Sequence, residues 1–146
     1  MEQDGAPLGA AIGYRLKEAQ SVLRARMDDA LRPLGLTTPQ YACLELLDRT
    51  PGSSNAELAR AAFVTRQTMN TLLRGLSDRG LVSRATQASS GRALPTTLTP
   101  EGQRLLTAAA GLIDTIEEQM VSQLHRDQRH TLHESIAACI EALRDS

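Results

Sequence analysis

Two short helical patterns, separated by about three or four residues, constrain the fold of this chain more than any other feature of its sequence. The first begins with Ser54 and Glu57, at the spacing where an N-cap hydroxyl and a glutamate satisfy each other's backbone amides. The second begins at Thr65, a favourable N-cap residue, and ends at Gly80, which can adopt the left-handed conformation that stops a helix. Two short helices joined so tightly are typical of a helix-turn-helix.

The second helix has an apolar stripe on one side and a polar face without acids on the other. The stripe runs from Met69 to Leu76 and is predicted to lie in the core. Arginine pairs bidentately with guanine in the major groove of DNA, and asparagine or glutamine pairs with adenine. Side chains near the helix start suit phosphate, because unpaired amides and the helix dipole favour an anion there. The candidate DNA-binding residues of this helix-turn-helix are Ser54, Thr65, Arg66, Gln67, Thr68, Asn70, Thr71 and Arg74.

The charge of the chain is distributed unevenly, although its net value of −1 does not by itself suggest a nucleic-acid partner. Residues 60–92 contain six arginines and a single acid, Asp78. The segments before and after, 1–59 and 101–146, each contain more acids than bases. One basic segment between two acidic ones indicates a local contact with a polyanion.

Residues 81–98 change from a helical to an extended pattern. Apolar Leu81 and Leu98 lie on either side of the turn-forming sequence QASSG, which predicts a two-stranded hairpin, or wing. Pro95 is expected at an edge, where it needs no donor in the ladder. Arg84 and Arg92 would then flank the tip of the wing. Arg92 could enter a narrow minor groove or simply contact a phosphate, and the sequence leaves both alternatives open.

The rest of the chain predicts long helices. One Phe, two Tyr and no Trp leave an interior of aliphatic residues, which favours a mainly α fold. The first helix should stop at Pro33 and Gly35, Thr38 should cap the next, and Pro100 should start another long helix.

Helices of this length would expose apolar stripes in a lone subunit. A helix of about 25 residues is roughly 37 Å long, more than a domain of this size can cover. We therefore predict a homodimer, with residues 1–35 and 100–146 as dimerisation helices and 36–99 as a winged helix-turn-helix lobe, in one compact chain without a separate linker. Two-fold pairing would place two recognition helices one duplex turn apart, as a pseudopalindromic operator requires.

Three sequence blocks together resemble the MarR family of winged helix-turn-helix transcriptional regulators. They are GLTTPQYACLELL, SSNAELARAAFVTRQTMNTLLRGLSDRGLVSR and GRALPTTLTPEGQRLL. The resemblance implies a homodimer whose recognition helix enters the major groove of double-stranded DNA and whose wing arginine enters the minor groove. It also implies a repressor whose DNA affinity falls when a small aromatic acid or phenolic effector binds.

One residue of the family pattern is replaced in this sequence, and the effector cleft can be assigned only candidate residues. Family wings usually carry an acid two positions before the tip arginine, whereas this chain has Ser90, so a hydroxyl would have to brace Arg92. Tyr14, Arg15 and Tyr41 lie where the family places its effector cleft, and an arginine beside a phenol ring could hold an aromatic carboxylate. Core packing for the tyrosines and a solvated or interface role for Arg15 remain the alternatives.

Other functions have weaker support in the sequence. Cys43 and Cys139 form no CxxC pair and are expected to be buried reduced thiols, with a redox-sensing role for Cys43 as an alternative. His130 and His133 could contribute to a metal site but do not complete one, so we predict no metal and no cofactor.

No enzyme motif is recognised, and a winged helix serving as a protein-interaction module is the remaining alternative to DNA binding. No apolar run reaches the roughly 18 residues of a membrane span, and the start lacks the basic segment of a leader, which predicts a cytoplasmic protein.

Overall fold

A computed structural model describes residues 7–84 and 95–144 of the chain. These residues form six α-helices, one short 3-10 turn and one antiparallel pair of strands, which is the mainly α winged helix-turn-helix fold predicted from the sequence. Within the described ranges no helix is both long enough and apolar enough to cross a bilayer. The elements are α1 (Leu8–Leu31), the 3-10 turn (Arg32–Leu34), α2 (Thr38–Arg49), α3 (Asn55–Ala62), α4 (Arg66–Asp78), β1 (Val82–Arg84), β2 (Thr96–Leu98), α5 (Pro100–Met120) and α6 (Arg126–Arg144).

Two compact units divide the chain within α5, after Ile113. The first unit contains α1 to α4, both strands and the start of α5. Its core is aliphatic, with Leu44 and Leu47 of α2 packed in the same interior as buried residues of α4. The interior is therefore mainly aliphatic, as predicted, although one aromatic residue, Tyr41, is also buried in it.

Helix α1 ends as predicted, at a proline-containing turn closed by Gly35. Gly35 has a φ of 72°, in the left-handed region where glycine is favoured. Its carbonyl oxygen accepts a hydrogen bond of 2.6 Å from Nη1 of Arg79, just beyond the end of α4. The turn after α1 is thus tied to the C-terminal end of α4.

The cap of α2 lies one residue earlier than predicted. Thr37, not Thr38, is the N-cap: its Oγ1 accepts from the amide of Gln40, and the Gln40 side chain accepts from the amide of Thr37. The Thr38 hydroxyl instead donates to Asp28 of α1. Either threonine can cap a helix, and the glutamine three residues after Thr37 selects the reciprocal arrangement.

Helices α3 and α4 form the predicted helix-turn-helix. Ser54 and Glu57 make the reciprocal cap of α3, with a distance of 2.8 Å from the Ser54 amide to the glutamate oxygen. Thr65 caps α4 by accepting from the amide of Thr68 at 3.0 Å. The connection is only three residues long, and its first residue, Phe63, has a φ of 61° and an exposure of 84%.

The two strands of the wing pair antiparallel, with Val82 opposite Leu98 and Arg84 opposite Thr96. This confirms the predicted hairpin at its base. The tip, residues 85–94, lies outside the described residues, as do the two candidate DNA-binding residues on it, Ser90 and Arg92.

The wing joins α5 through a close contact that only glycine permits. Thr99 donates from its hydroxyl to the carbonyl of Gly80 at 2.6 Å and accepts from the amide of Gly102 at 3.0 Å. A Cβ atom on Gly102 would lie 2.0 Å from the carbonyl oxygen of Leu81. Helix α5 begins at Pro100, as predicted, immediately after this cap.

The second unit contains the end of α5 and the whole of α6. Arg129 and Glu118 form an ion pair within it, at 3.6 Å. Every residue of α6 whose side chain is described is at least partly exposed, so the prediction that Cys139 is buried is wrong for the single chain. Exposed apolar side chains on α1, α5 and α6 agree with the prediction of uncovered stripes: Leu8, Ile12, Tyr14, Leu16, Val22, Leu112, Met120, Leu132, Ile136, Ile140 and Leu143.

Candidate nucleic-acid interface

The polar face of α4 is open to solvent along most of its length. Gln67, Thr71 and Arg74 follow one another at helical spacing and are exposed, as are Arg66 and Thr68 near the helix start. The opposite side of the helix is in the core, where Met69, Leu73 and Leu76 are buried. The only acid of α4 is Asp78 at its last turn. An exposed, cationic and amide-bearing face on a well-anchored helix is suited to the major groove.

The start of α4 has the features of an anion-binding helix end. Thr65 accepts from the amide of Thr68, and its hydroxyl donates to the Thr68 hydroxyl at 3.1 Å. The other amides of the first turn keep the partial positive charge of a helix N-terminus. Beside them an open groove of about 660 Å³ is lined by Ser54, Asn55, Ala56, Arg66, Gln67 and Asn70.

Asn70 differs from its neighbours on α4, because it is half-buried and already bonded within the protein. Its Oδ1 accepts from Nδ2 of Asn55 at 2.8 Å and from Nη2 of Arg84 at 3.2 Å. We refer to Asn55, Asn70 and Arg84 as the polar clamp. It joins α3, α4 and β1 at a single oxygen atom, which sequence spacing could not reveal.

The predicted DNA-binding residues that the structure describes fall into three groups, with Asn70 and Arg84 together in the polar clamp. Those from Thr65 to Thr68, with Thr71 and Arg74, share one exposed surface. Ser54 is half-buried and acts as the cap of α3. Arg84 is half-buried and belongs to the polar clamp, so in the free chain its guanidinium contacts α4 instead of extending along the wing.

The three predicted effector residues are in different surroundings. Tyr14 is 65% exposed on α1, and Arg15 is paired with Glu18 at 2.6 Å. Tyr41 is buried on α2. In the single chain Tyr14 and Arg15 are thus at the surface, whereas Tyr41 belongs to the core.

A different cavity, not foreseen from the sequence, lies between the end of α1 and the start of α2. Asp28 in its wall accepts from Nε of Arg24 at 3.3 Å and from the Thr38 hydroxyl. The hydrogen bond from Thr38 is the main reason that the pKa of Asp28 lies below its usual value, with the charge of Arg24 contributing. The cavity has a volume of about 400 Å³ and is lined by Arg24, Asp28, Arg32, Gly35, Leu36 and Thr37.

The environment of Cys43 does not favour redox sensing. The thiol is buried and lies 3.6 Å from the sulfur of Met69. Burial raises its pKa to about 11, although the positive charge of Arg84 acts in the opposite direction. Because the thiolate is the reactive form, a raised pKa makes this thiol unreactive. Cys43 therefore acts as a small apolar residue of the core.

No metal site is evident in residues 7–84 and 95–144, where no three His, Cys, Asp or Glu side chains are grouped to hold an ion.

The fold and the exposed basic helix define a DNA-binding protein of the winged helix-turn-helix class. Residues 34–93 match the sequence model of the MarR family. The HTH-type transcriptional repressor Rv2887 of Mycobacterium tuberculosis (strain ATCC 25618 / H37Rv) is 45% identical over 120 residues, 82% of this chain and 86% of the relative. The chain belongs to the MarR family of transcriptional regulators, which is not an enzyme family.

Solved structures of relatives have the same fold. The Rv2887 protein in complex with salicylic acid superposes with a TM-score of 0.71 at 42% identity, covering 93% of this chain and 98% of that one. Its complex with DNA gives 0.72 at 38% identity, covering 92% and 98%. The transcriptional repressor CouR bound to a 23-mer DNA duplex gives 0.82 at 30% identity, covering 96% and 99%.

Proposed function

We propose that this chain is a transcriptional repressor that binds a pseudopalindromic DNA operator as a homodimer and is released by a small aromatic acid or phenolic effector. The observation that carries the proposal is the exposed face of α4 from Arg66 to Arg74, which contains no acid and lies opposite the buried apolar side of the helix. The DNA complexes of two relatives support the same use of the fold. The protein would act in the cytoplasm.

The exposed residues of α4 divide by chemistry into base readers and phosphate contacts. Gln67 can pair with adenine through its amide, and Arg74 can pair with guanine through its guanidinium. Thr65, Arg66, Thr68 and Thr71 lie at or near the helix start, where hydroxyl and cationic groups suit phosphate oxygens. Ser54 at the start of α3 and Arg92 on the wing complete the proposed contact surface, together with Arg84 and Ser90 at the wing.

The dimer would be formed by residues 1–35 and 100–146, leaving 36–99 as the DNA-binding lobe. Apolar side chains on α1 and α6 are exposed in the single chain, and a second subunit is the simplest cover for them. A two-fold axis through these helices would present two copies of α4 to successive major grooves.

An effector would lower DNA affinity by binding the free form better than the bound form. The salicylic acid complex of the Rv2887 relative supports a small aromatic carboxylate as the chemical class. Two sites on this chain offer an arginine to such a ligand. One is Arg15, which the dimer would have to bring together with Tyr14 and Tyr41, and the other is the cavity lined by Arg24 and Arg32.

The direct test is selection of bound fragments from genomic DNA, followed by a gel shift at graded salt concentration. A repressor of this kind should lose affinity steeply as salt rises, because phosphate contacts release counterions. Binding that is indifferent to salt, or no bound duplex at all, would favour the alternative of a protein-interaction module.

The effector is tested by adding salicylate to the complex, with uncharged salicylamide as a matched control. Salicylate should weaken DNA binding and salicylamide should not, since the carboxylate provides the contact with arginine. Arg15→Ala and Arg24→Ala, compared in the same assay, identify the arginine that is responsible. Equal effects of both compounds would contradict the carboxylate hypothesis.

A further inference from the structure

The oxygen of the Asn70 side chain is fully used inside the protein. Its Oδ1 accepts two hydrogen bonds, from Asn55 and from Arg84. An amide oxygen has two lone pairs, so no acceptor site is left on it. A side chain that looks like a base reader in sequence is therefore already committed to an intramolecular contact.

The orientation of the Asn70 amide follows from its partners. Arg84 has donors only, so the group facing it must be an oxygen. Turning the Asn55 amide around would place two oxygens against each other. In the observed arrangement Asn55 Oδ1 and Arg84 Nε are buried and without a hydrogen-bond partner among the described residues. The arrangement thus gives the Asn70 oxygen both of its hydrogen bonds and leaves these two buried atoms of its partners unpaired.

The clamp also lies where it can fix the angle between the wing and α4. Arg84 is the last described residue of β1, opposite Thr96 of β2. The strands are only three residues long, so the sheet offers few hydrogen bonds to hold the wing. A charged hydrogen bond from Arg84 to the recognition helix adds a fixed point between α4 and the hairpin.

We propose that Asn70 is a positioning residue that locks the base of the wing to the recognition helix, and that it does not read adenine. Adenine recognition needs the amide oxygen and nitrogen together, because the base offers a donor at N6 and an acceptor at N7. With its oxygen held by Arg84 and Asn55, Asn70 can offer DNA only the donors of Nδ2. Adenine readout by α4 then falls to Gln67, whose side chain is exposed.

This inference rests on the proposed function, and the first measurement avoids that dependence. Hydrogen exchange of the free protein should be faster at the amides of β1 and β2 in Asn70→Ala than in the wild type. Asn70→Asp keeps an acceptor for both donors, so it should retain wild-type protection. Equal exchange in Asn70→Ala and the wild type would overturn the clamp, whether or not the protein binds DNA.

The second measurement uses the selected operator and all its single base-pair variants. Asn70→Ala should lower affinity for every duplex by a similar factor, on the order of tenfold, and leave the order of preference unchanged. Gln67→Ala should instead remove the preference at one A·T pair. Loss of preference at one A·T pair in Asn70→Ala would show that Asn70 reads adenine and would overturn the inference.

A double-mutant cycle completes the test. Asn70→Ala and Arg84→Met break the same link, so the double variant should bind DNA about as well as the single variant with the lower affinity. Gln67→Ala combined with Arg84→Met should show multiplied losses. Multiplied losses for Asn70 with Arg84 would overturn the proposal. A wild-type protein that binds no duplex would instead contradict the proposed function, and the exchange measurement would still decide the clamp.

Discussion

At the level of single residues, the face of α4 contains side chains that are free to approach a ligand and one that is not. Gln67, Thr71 and Arg74 point to solvent, whereas Asn70 lies at the same surface but is bonded to Asn55 and Arg84. Four residues that look equivalent on a helical wheel therefore differ in what they can still recognise. This difference separates direct base contacts from the geometry that supports them.

Arg74 provides the clearest test of direct readout. Arg74→Ala should cost about 1–3 kcal/mol of operator affinity and blur the preference at one base pair, because a guanidinium pairs bidentately with guanine. The measurement is the affinity for the operator and its single-site variants. Arg49→Ala, an exposed arginine of α2 paired with Glu45, is a matched control and should leave affinity unchanged. An equal loss on every sequence would make Arg74 a phosphate contact.

At the level of elements, the turn between α3 and α4 is conformationally costly. Phe63 is a bulky residue at a φ of 61°, the only non-glycine residue with positive φ in the described ranges. Its side chain is 84% exposed, so little packing compensates for the strain. In this conformation the amides of Phe63 and Val64 donate to the carbonyls of Arg60 and Ala59, which closes the end of α3.

Phe63→Gly should therefore stabilise the free protein. Relief of the left-handed conformation is worth about 1 kcal/mol, and the loss of an exposed ring costs little. Thermal unfolding should show a rise in Tm of roughly 3 °C for each kcal/mol in a chain of this size. Phe63→Ala keeps the strain and should show no such rise. A lower Tm for Phe63→Gly than for Phe63→Ala would contradict this explanation.

At the junction between the wing and α5 the constraint is steric, because Gly102 has no room for a side chain. Gly102→Ala would place a Cβ atom 2.0 Å from the carbonyl oxygen of Leu81, so the backbone of the junction must move. We expect a loss of about 3 kcal/mol or more in the free energy of unfolding. Chemical denaturation measures it. Gly75→Ala, in α4, would place its Cβ more than 4 Å from every described atom outside the adjacent backbone of the helix and should instead stabilise by about 0.5–1 kcal/mol.

Features that depend on residues close together in the sequence can be predicted from it, whereas contacts between distant residues cannot. The caps at Ser54 and Thr65 and the stop at Gly80 depend on neighbouring residues, and the sequence predicts them correctly. The sequence prediction of the α2 cap is wrong by one residue. Thr37 and Thr38 could each cap the helix, and only the reciprocal contact with Gln40 selects Thr37. The link between Asn70 and Arg84 joins residues fourteen apart through the packing of a strand on a helix, and no local pattern encodes it.

At the level of the whole molecule, charge and apolar surface are separated along the chain. The basic segment coincides with the helix-turn-helix and wing, while the apolar stripes lie on α1 and α6. One region thus suits a polyanion and another suits a second copy of the chain. A nearly neutral protein can therefore bind DNA through one face without general attraction to nucleic acid.

The proposed dimer is tested by a charge in the middle of the α6 stripe. Ile140→Glu should convert the protein to a monomer that keeps its helical content and loses operator binding, because a glutamate would be buried unpaired at the interface. Sedimentation measures the oligomeric state, and a gel shift measures DNA binding.

Ala138→Glu, on the opposite side of the helix, is the matched control and should remain dimeric. A dimer that persists in Ile140→Glu would exclude this stripe as the subunit interface.

The bond from Arg79 to the carbonyl of Gly35 has a genetic consequence. Its acceptor belongs to the peptide backbone, so every amino acid at position 35 would supply the same oxygen, and none can supply a better one. A defect at Arg79 thus has no compensating partner substitution at Gly35, where any side chain would also be strained. The hydrogen bond can therefore be kept only by an arginine at position 79 and an unchanged backbone at position 35.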